Sequence, residues 1–140
     1  MNFNNFTIKS QEAVQEAVNL TRTRGGQAID PAHLMAAVLK VGDTVTNFLF
    51  QKLGVNGQQI ATLVDRQIDS LPKVSGGEPY LSRETNEVLQ RAVEFSKEMG
   101  DQYVALEELM LALFVVKSSV STMLKDAGVT EKELRAAIVE

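Results

Sequence analysis

The chain contains no cysteine and no tryptophan, and it has one histidine and three prolines among 140 residues. The lack of cysteine excludes disulfide bonds, thiolate nucleophiles and cysteine-ligated metal sites. No apolar run approaches the roughly 20 residues that a membrane-spanning helix needs, and no basic-then-apolar export leader opens the chain. The net charge of -4 argues against a nucleic-acid-binding surface. Since 44% of the residues are hydrophobic, enough for a packed core, we expect a soluble, cytoplasmic globular domain.

An internal repeat is the strongest feature of the sequence. Residues 7–39 can be laid over residues 82–114 at a spacing of 75 positions, and the similarity resumes near residue 54 at a spacing of 74. Identical pairs include Glu12/Glu87, Gly25/Gly100, Leu34/Leu109 and Gly54/Gly128. Because this period exceeds that of common solenoid repeats, we interpret it as one duplication of a multi-helix unit.

Each unit is predicted to form four helices, which gives an all-α fold of about eight helices in a pseudo-twofold bundle. Thr7 and Ser82 are suitable N-cap residues for the first helix of each unit, and Gly25 and Gly100 are suitable stops. No stretch alternates apolar and polar residues for long enough to indicate a sheet.

The segment 72–79, with two prolines and two glycines, is typical of a linker. We therefore interpret residues 1–140 as a single domain with a first repeat of about 7–71, a linker at 72–79 and a second repeat of about 80–140. The linker is too short to let the repeats separate widely, so we expect them to pack together.

The sequence offers no recognisable catalytic chemistry. It has no G-x-x-x-x-G-K-[ST] phosphate loop and no H-E-x-x-H or G-x-S-x-G motif. His33, the only histidine, falls in the first turn of a predicted helix, where a structural polar role is typical, and its counterpart in the second repeat is Glu108. We expect no catalytic residue, no metal site and no enzyme activity.

The second repeat carries more apolar bulk than the first. Phe95, Met99 and Tyr103 stand where the first repeat has Leu20, Arg24 and Ala28. These side chains either fill the core between the repeats or line an outward-facing groove of adaptable apolar residues. The sequence leaves both alternatives open.

Several motifs resemble the Clp N-terminal domain family, a duplicated helical unit at the front of Hsp100 disaggregases and Clp unfoldases. The motifs that carry the resemblance are Phe6-Thr7, residues 10–13 (SQEA), 28–34 (AIDPAHL), 53–55 (LGV) and 100–104 (GDQYV). The linker sequence LPKVSG at 71–76 is similar to that of the ClpB-type branch rather than the ClpA or ClpC branches.

The resemblance implies a non-catalytic module tethered to a hexameric AAA+ ATPase that disaggregates proteins together with the DnaK system. In this reading the module binds unfolded or aggregated polypeptides, while ATP and magnesium bind to AAA+ modules beyond Glu140. We expect the isolated domain to be a monomer without cofactor, nucleic acid or membrane partners. The alternative is a docking module for folded adaptor proteins, as in ClpA- and ClpC-like unfoldases.

The resemblance also implies a client-binding surface. Its expected members are Thr7, Asp101 and Glu107, with apolar lining from Phe95, Met99 and Tyr103. Arg91 and Glu108 stand where some relatives have leucine, so we expect a narrower or more polar groove. Each polar member also has a structural alternative, as a helix cap for Thr7, a turn former for Asp101 and a first-turn acid for Glu107.

Overall fold

The computed structural model describes residues 2–139, and within them the chain forms eight helices joined by short loops. They are α1 (Ile8–Thr23), α2 (Pro31–Val41), α3 (Asp43–Leu53), α4 (Gly57–Ser70), α5 (Arg83–Glu98), α6 (Leu106–Val115), α7 (Ser119–Asp126) and α8 (Glu131–Val139). The all-α prediction is confirmed. None of the helices in this part of the chain is long and apolar enough to cross a lipid bilayer.

A miniature sheet interrupts the helical architecture. The strands β1 (Ala28–Ile29) and β2 (Tyr80–Leu81) pair in parallel, with Ala28 opposite Tyr80 and Ile29 opposite Leu81. The sequence did not predict this sheet because two residues are too few to show a period-two pattern.

Equivalent residues begin and end the first helix of each repeat. The Oγ1 atom of Thr7 accepts a hydrogen bond from the Ser10 N–H at 3.1 Å, and Ser82 does the same for Thr85 at 3.1 Å. Each bond satisfies an amide that would otherwise lack a partner at the helix N-terminus.

Both helices end at a glycine in the left-handed region, Gly25 with φ 78° and Gly100 with φ 74°. Residues other than glycine rarely adopt this backbone conformation. The two helices therefore end in the same kind of left-handed turn, with a glycine in each. The helix boundaries predicted from the repeat therefore agree with the structure.

The helices α2 and α6 form the centre of the bundle. Nearly every residue of α6 from Leu106 to Phe114 is buried, and α2 is buried over most of its length. The two helices pack against each other, while α2 also contacts α1, α3 and α4, and α6 also contacts α5, α7 and α8. Because both are apolar on almost all faces, the core is continuous between the repeats.

Most of the further contacts between the repeats come in matched pairs. Helix α3 packs against α8 and α4 against α7, while α1 contacts α6 and α2 contacts α5. Exchanging each helix for its equivalent in the other repeat reproduces these four contacts, whereas the contact of α2 with α7 has no counterpart of similar extent between α6 and α3. This is the arrangement that a pseudo-twofold bundle requires.

The repeats also exchange backbone pairing just before their first helices. Phe6 forms a parallel bridge with Val104 of the second repeat, and its equivalent Leu81 pairs with Ile29 of the first. Phe6, Val104 and Ile29 are buried, so these hydrogen bonds lie in a nearly water-free environment. Each repeat therefore completes the other.

The same exchange supports the helix N-termini. The Thr7 N–H donates to the Val104 carbonyl at 3.0 Å, and the Ser82 N–H donates to the Ile29 carbonyl at 3.2 Å. The N-cap residue of each first helix is thus held by the loop before the second helix of the opposite repeat.

The segment 72–79 is attached to the turn after α1. The Val74 N–H donates to the Gly25 carbonyl at 2.9 Å, and the Lys73 ammonium donates to the Arg24 carbonyl at 3.0 Å. The connection between the repeats therefore runs along the first repeat before it enters β2.

Gly42, between α2 and α3, is a point of close approach between the repeats. A Cβ atom at this position would overlap Cδ1 of Leu106 and would lie 3.1 Å from the Val38 carbonyl oxygen. We expect Gly42→Ala to lower the free energy of unfolding by about 1–3 kcal/mol, because extra volume in a packed core forces side chains to move. Urea denaturation measures this loss.

The control introduces Gly42→Ala into the Leu106→Val variant, whose shorter side chain lacks the overlapping Cδ1 methyl group. In that variant Gly42→Ala should lower the free energy of unfolding clearly less, because the effects of substitutions at contacting residues are not additive. An equal cost in both backgrounds would contradict the assigned contact.

Candidate functional site

A groove at the start of α1 brings together residues that are far apart in the chain. Its volume is about 370 Å³, and we call it the Thr7 groove. Its lining consists of Asn4, Phe6, Thr7, Ile8, Gln11 and Tyr103. Thr7 and Tyr103, both expected in the client-binding surface, therefore line one groove.

The backbone pairing between the repeats builds this groove. Tyr103 immediately precedes Val104, which receives the Thr7 N–H and donates its own N–H to the Asn5 carbonyl at 2.8 Å. On the other side, the Gln11 Nε2 atom donates to the Phe6 carbonyl at 3.0 Å. The groove thus lies on a rigid hydrogen-bonded base.

Two large apolar side chains in the lining of the Thr7 groove are exposed to solvent. Ile8 is 70% exposed and Tyr103 is 49% exposed. An isoleucine in the first turn of a helix has no structural reason to face water, and together with Tyr103 it gives the groove an apolar rim. Adjacent exposed apolar residues of this kind are typical of interaction surfaces.

Asp101 and Glu107 occupy the loop and the first turn that follow Gly100. Asp101 is exposed and Glu107 is half-buried. Both carboxylates raise the pKa of the buried Glu108, so both lie near the N-terminal end of α6. They flank Tyr103 in the chain but do not line the Thr7 groove.

Phe95 does not line a groove, and this part of the sequence prediction is wrong. Its side chain is 0% exposed. The guanidinium carbons of Arg91 and Arg135 lie 4.6 and 5.1 Å from the centre of its ring, within the range of cation–π attraction. The arginine at position 91 covers the phenylalanine, so this ring is part of the core.

Met99 and Glu108 do not line an outward-facing groove either. Met99 is half-buried, ends α5 and packs against the core. Glu108 is 1% exposed, and its Oε1 atom accepts a hydrogen bond from the Ala105 N–H at 2.7 Å. The expectation that Glu108 makes the groove more polar is therefore wrong, because this carboxyl group points inward and caps α6.

A second cavity, which we call the His33 cavity, lies at the equivalent place in the other repeat. Its volume is about 320 Å³. Ser82 and Ala28 occur in its lining, and these are the repeat counterparts of Thr7 and Tyr103. Asp30, His33 and Glu84 also line it, whereas the lining of the Thr7 groove contains no acidic residue and no histidine.

The electrostatics of the His33 cavity follow from burial. The Nδ1 atom of His33 accepts a hydrogen bond from the Asp30 N–H at 3.0 Å, as a neutral imidazole can. Burial, with the nearby charges of Arg24 and Lys73, lowers the pKa of His33 to about 4. Burial also raises the pKa of Asp30 above its ordinary value. His33 therefore has the structural role expected from the sequence.

Sequence reasoning missed Ile8, Phe6 and Gln11 as groove residues. Ile8 carried a usable signal, because its repeat counterpart is Arg83 and an apolar residue replaces a charged one. Within residues 2–139 no group of three or more histidine, aspartate or glutamate side chains could hold a metal ion.

Comparison with known proteins gives a family match over nearly the whole chain. The family model described as the Clp repeat (R) N-terminal domain matches residues 5–138. The chain is 74% identical over 140 residues to the chaperone protein ClpB of Bacteroides thetaiotaomicron. It is 56% identical over 140 residues to ClpB of Porphyromonas gingivalis. Each alignment includes 100% of this chain, which spans only 16% of the length of either relative.

Solved structures show the same fold at low sequence identity. The N-terminal domain of Hsp104 from Candida albicans has a TM-score of 0.85 at 21% identity, covering 98% of this chain and 91% of that one. The N-domain of ClpV from Vibrio cholerae has a TM-score of 0.82 at 17% identity, covering 97% of this chain and 84% of that one. These similarities confirm the architecture.

The contrasting burial of two aromatic residues gives a testable difference. We expect Phe95→Ala to lower the free energy of unfolding by about 3–5 kcal/mol, because it leaves a cavity in the core. Tyr103→Ala should cost less than about 1 kcal/mol, since half of its side chain faces water. Thermal and urea denaturation measure both, and similar losses for the two variants would contradict the assigned positions.

The lowered pKa of His33 predicts an acid-sensitive contribution to folding. Because the pKa falls from 6.5 to about 4 on folding, the unfolded chain binds more protons between these values. The contribution of His33 to stability should therefore be complete above pH 6.5 and decrease as the pH falls toward 4.

His33→Gln tests this prediction, because glutamine keeps an acceptor for the Asp30 N–H but does not titrate. The difference in unfolding free energy between the two proteins should shift in favour of the variant as the pH falls. A difference independent of pH would show that the folded protein does not suppress protonation of His33.

Proposed function

Because the chain belongs to the family of Clp repeat (R) N-terminal domains, we propose that it is a non-catalytic recognition module and that the Thr7 groove binds apolar segments of unfolded or aggregated polypeptides. The similarity to ClpB chaperones over the whole chain supports a role in an Hsp100 chaperone. The observation that carries the groove assignment is the exposure of Ile8 and Tyr103, which both line the groove.

The rest of the proposed protein lies outside this chain. We propose that the module serves a cytoplasmic hexameric AAA+ disaggregase, whose ATPase modules bind ATP and magnesium and which works with the DnaK system. The module itself contributes no catalytic group. Its task is to hold client segments near the motor.

The size of the groove fits a weak capture site. Burying about 300 Å² of apolar surface contributes about 7 kcal/mol, and association costs at least about 4 kcal/mol. The remainder of about 3 kcal/mol corresponds to a dissociation constant in the millimolar range. Several copies in one assembly would raise the effective affinity through avidity, which suits a module that engages aggregates.

The polar members of the surface have supporting positions. Asp101 and Glu107 flank Tyr103 in the chain and add negative charge near the end of α6. Thr7 holds the base of the groove through its backbone and caps α1 through its side chain. We propose that these residues shape and polarise the surface while Ile8 and Tyr103 provide the apolar contact.

The double substitution Ile8→Ser with Tyr103→Ser tests the proposal. Each side chain contributes up to about 1.5–3 kcal/mol when buried, so loss of both should weaken binding of an unfolded polypeptide at least about tenfold. NMR titration with a permanently unfolded protein measures the affinity and shows where it binds. Circular dichroism confirms that the variant is folded.

Phe48→Ser is the matched control, because Phe48 is 47% exposed on α3, outside the groove. This variant should bind as the unmodified domain does. Equal weakening by both variants would point to general surface stickiness. Binding of a folded adaptor without binding of unfolded protein would favour the adaptor-docking alternative.

A further inference from the structure

The two repeats differ in the residues at the start of their fourth helices. Asn56 precedes α4 and Gly57 begins it, whereas the equivalent positions at the start of α8 are Thr130 and Glu131. Asn56 is the only asparagine of the sequence that a glycine follows. This dipeptide is chemically labile, because the following amide nitrogen can attack the asparagine side chain and glycine has no side chain to hinder the attack.

Both residues of the dipeptide have a structural role in the first repeat. The Oδ1 atom of Asn56 accepts a hydrogen bond from the Gln59 N–H at 3.2 Å and so caps α4. A Cβ atom on Gly57 would lie only 2.9 Å from Cδ2 of the buried Phe50 ring. In the second repeat the equivalent of Phe50 is the smaller Leu124, and the helix there begins with a residue that has a side chain. The fold therefore keeps a labile dipeptide at the start of α4.

The native backbone of Asn56 prevents the attack. Its ψ is 101°, which places the Gly57 nitrogen and the Asn56 Cβ on opposite sides of the Cα–C bond, whereas closure of a five-membered ring needs them on the same side. Two hydrogen bonds hold this geometry. The Ile60 N–H donates to the Asn56 carbonyl at 3.2 Å, and the Gln59 N–H donates to the side chain. Ring closure breaks both bonds, so the first turn of α4 must open.

The reacting groups are otherwise accessible. Asn56 is exposed to solvent. The Gly57 N–H is the first amide of the helix and has no hydrogen-bond acceptor within residues 2–139, so the attacking nitrogen is not held by a bond of its own. Because helix ends open at a much lower free energy than the core, the reaction does not require unfolding of the whole domain.

We propose that Asn56 is a site of spontaneous deamidation, controlled by opening of the first turn of α4. The Gly57 nitrogen forms a bond to Cγ of Asn56, the bond from Cγ to Nδ2 breaks, and the proton of the Gly57 N–H leaves with the departing ammonia. Water then opens the resulting succinimide ring at either carbonyl carbon. One product is aspartate, and the other is isoaspartate, in which the main chain runs through the former side-chain carbonyl carbon. The proposal does not depend on the function of the Thr7 groove.

The two products should differ in their effect on α4. Aspartate keeps the backbone and remains a good N-cap, with a negative charge that suits a helix N-terminus. Isoaspartate lengthens the main chain by a methylene group and turns the capping side chain into backbone, so the hydrogen bond from the Gln59 N–H is lost. Because α4 packs against α7 of the second repeat, this product should loosen a contact between the repeats.

The first experiment compares the folded domain with the chain unfolded in guanidinium chloride, both in a mildly alkaline buffer. Peptide mass spectrometry locates the replacement of NH2 by OH at each asparagine. Asn56 should react faster than any other asparagine in the unfolded chain, and at least about tenfold more slowly in the folded domain, where the turn must first open. A faster reaction at another asparagine overturns the assigned site. Equal rates in the two states overturn its control by α4.

A pair of variants separates local opening from global unfolding. Phe50→Leu removes the ring that packs on Gly57 and installs the residue of the second repeat, so deamidation of the folded domain should become faster. Phe95→Ala leaves a cavity in the core on α5, which packs against α2 and α6, and should leave the rate unchanged although it destabilises the domain. A rate that Phe50→Leu does not raise, or that Phe95→Ala raises as much, overturns the control by the first turn of α4.

The last experiment measures the consequence for stability. The isoaspartyl form, isolated from an incubated sample, should melt about 3–5 °C below the unmodified domain, as expected for a lost N-cap. Asn56→Asp, which represents the other product, should keep its melting temperature. Asn56→Thr carries the cap residue of the second repeat and should stay unchanged after the same incubation. An isoaspartyl form as stable as the unmodified domain, or an equal loss in incubated Asn56→Thr, overturns the assigned effect on the cap.

Discussion

The structure depends on the exchange of backbone pairing between the repeats. Phe6 pairs with Val104, and Leu81 pairs with Ile29, so that each repeat binds the segment before the first helix of the other. Because buried backbone groups without partners are costly, neither repeat can satisfy these groups alone. The duplication is therefore folded as one body around the buried helices α2 and α6.

The exchange also creates the Thr7 groove. Where the backbone before α1 meets the loop before α6, Thr7, Ile8 and Tyr103 come together at the surface. The equivalent junction in the first repeat has the same backbone pattern but a different lining, with Asp30 and His33 beneath it. The pseudo-twofold frame thus provides two similar concavities, of which one is lined by Asp30, His33 and Glu84 and the other contains no acidic residue and no histidine.

The same divergence appears in the cap residues of the central helices. His33 and Glu108 accept equivalent hydrogen bonds, yet burial lowers the pKa of the histidine and raises that of the glutamate. In each case burial favours the neutral form. A shared frame has therefore been fitted with two groups whose ionisation responds to pH in opposite directions, and the glutamate lies beside the loop that bears Tyr103.

Much of the fold was accessible from the sequence. The repeat, the caps at Thr7 and Ser82 and the stops at Gly25 and Gly100 are local signals, because capping and left-handed turns depend on a few neighbouring residues. These signals predicted the all-α architecture correctly. The two-residue strands left no such signal, since their partners come from the opposite repeat.

The lining of the Thr7 groove was only partly predictable from the sequence. Thr7 and Tyr103 were predicted through family resemblance and apolar surplus, and both line the Thr7 groove. Helical spacing could not tell whether Phe95 faces the core or the solvent. Phe95 is buried because it packs within the core of the bundle, where Arg135 of α8, distant in the chain, also lies over its ring. The sequence by itself determined which segments become helices and where they end. Only the tertiary structure decided which apolar side chains are exposed, because exposure depends on neighbours that are distant in the chain.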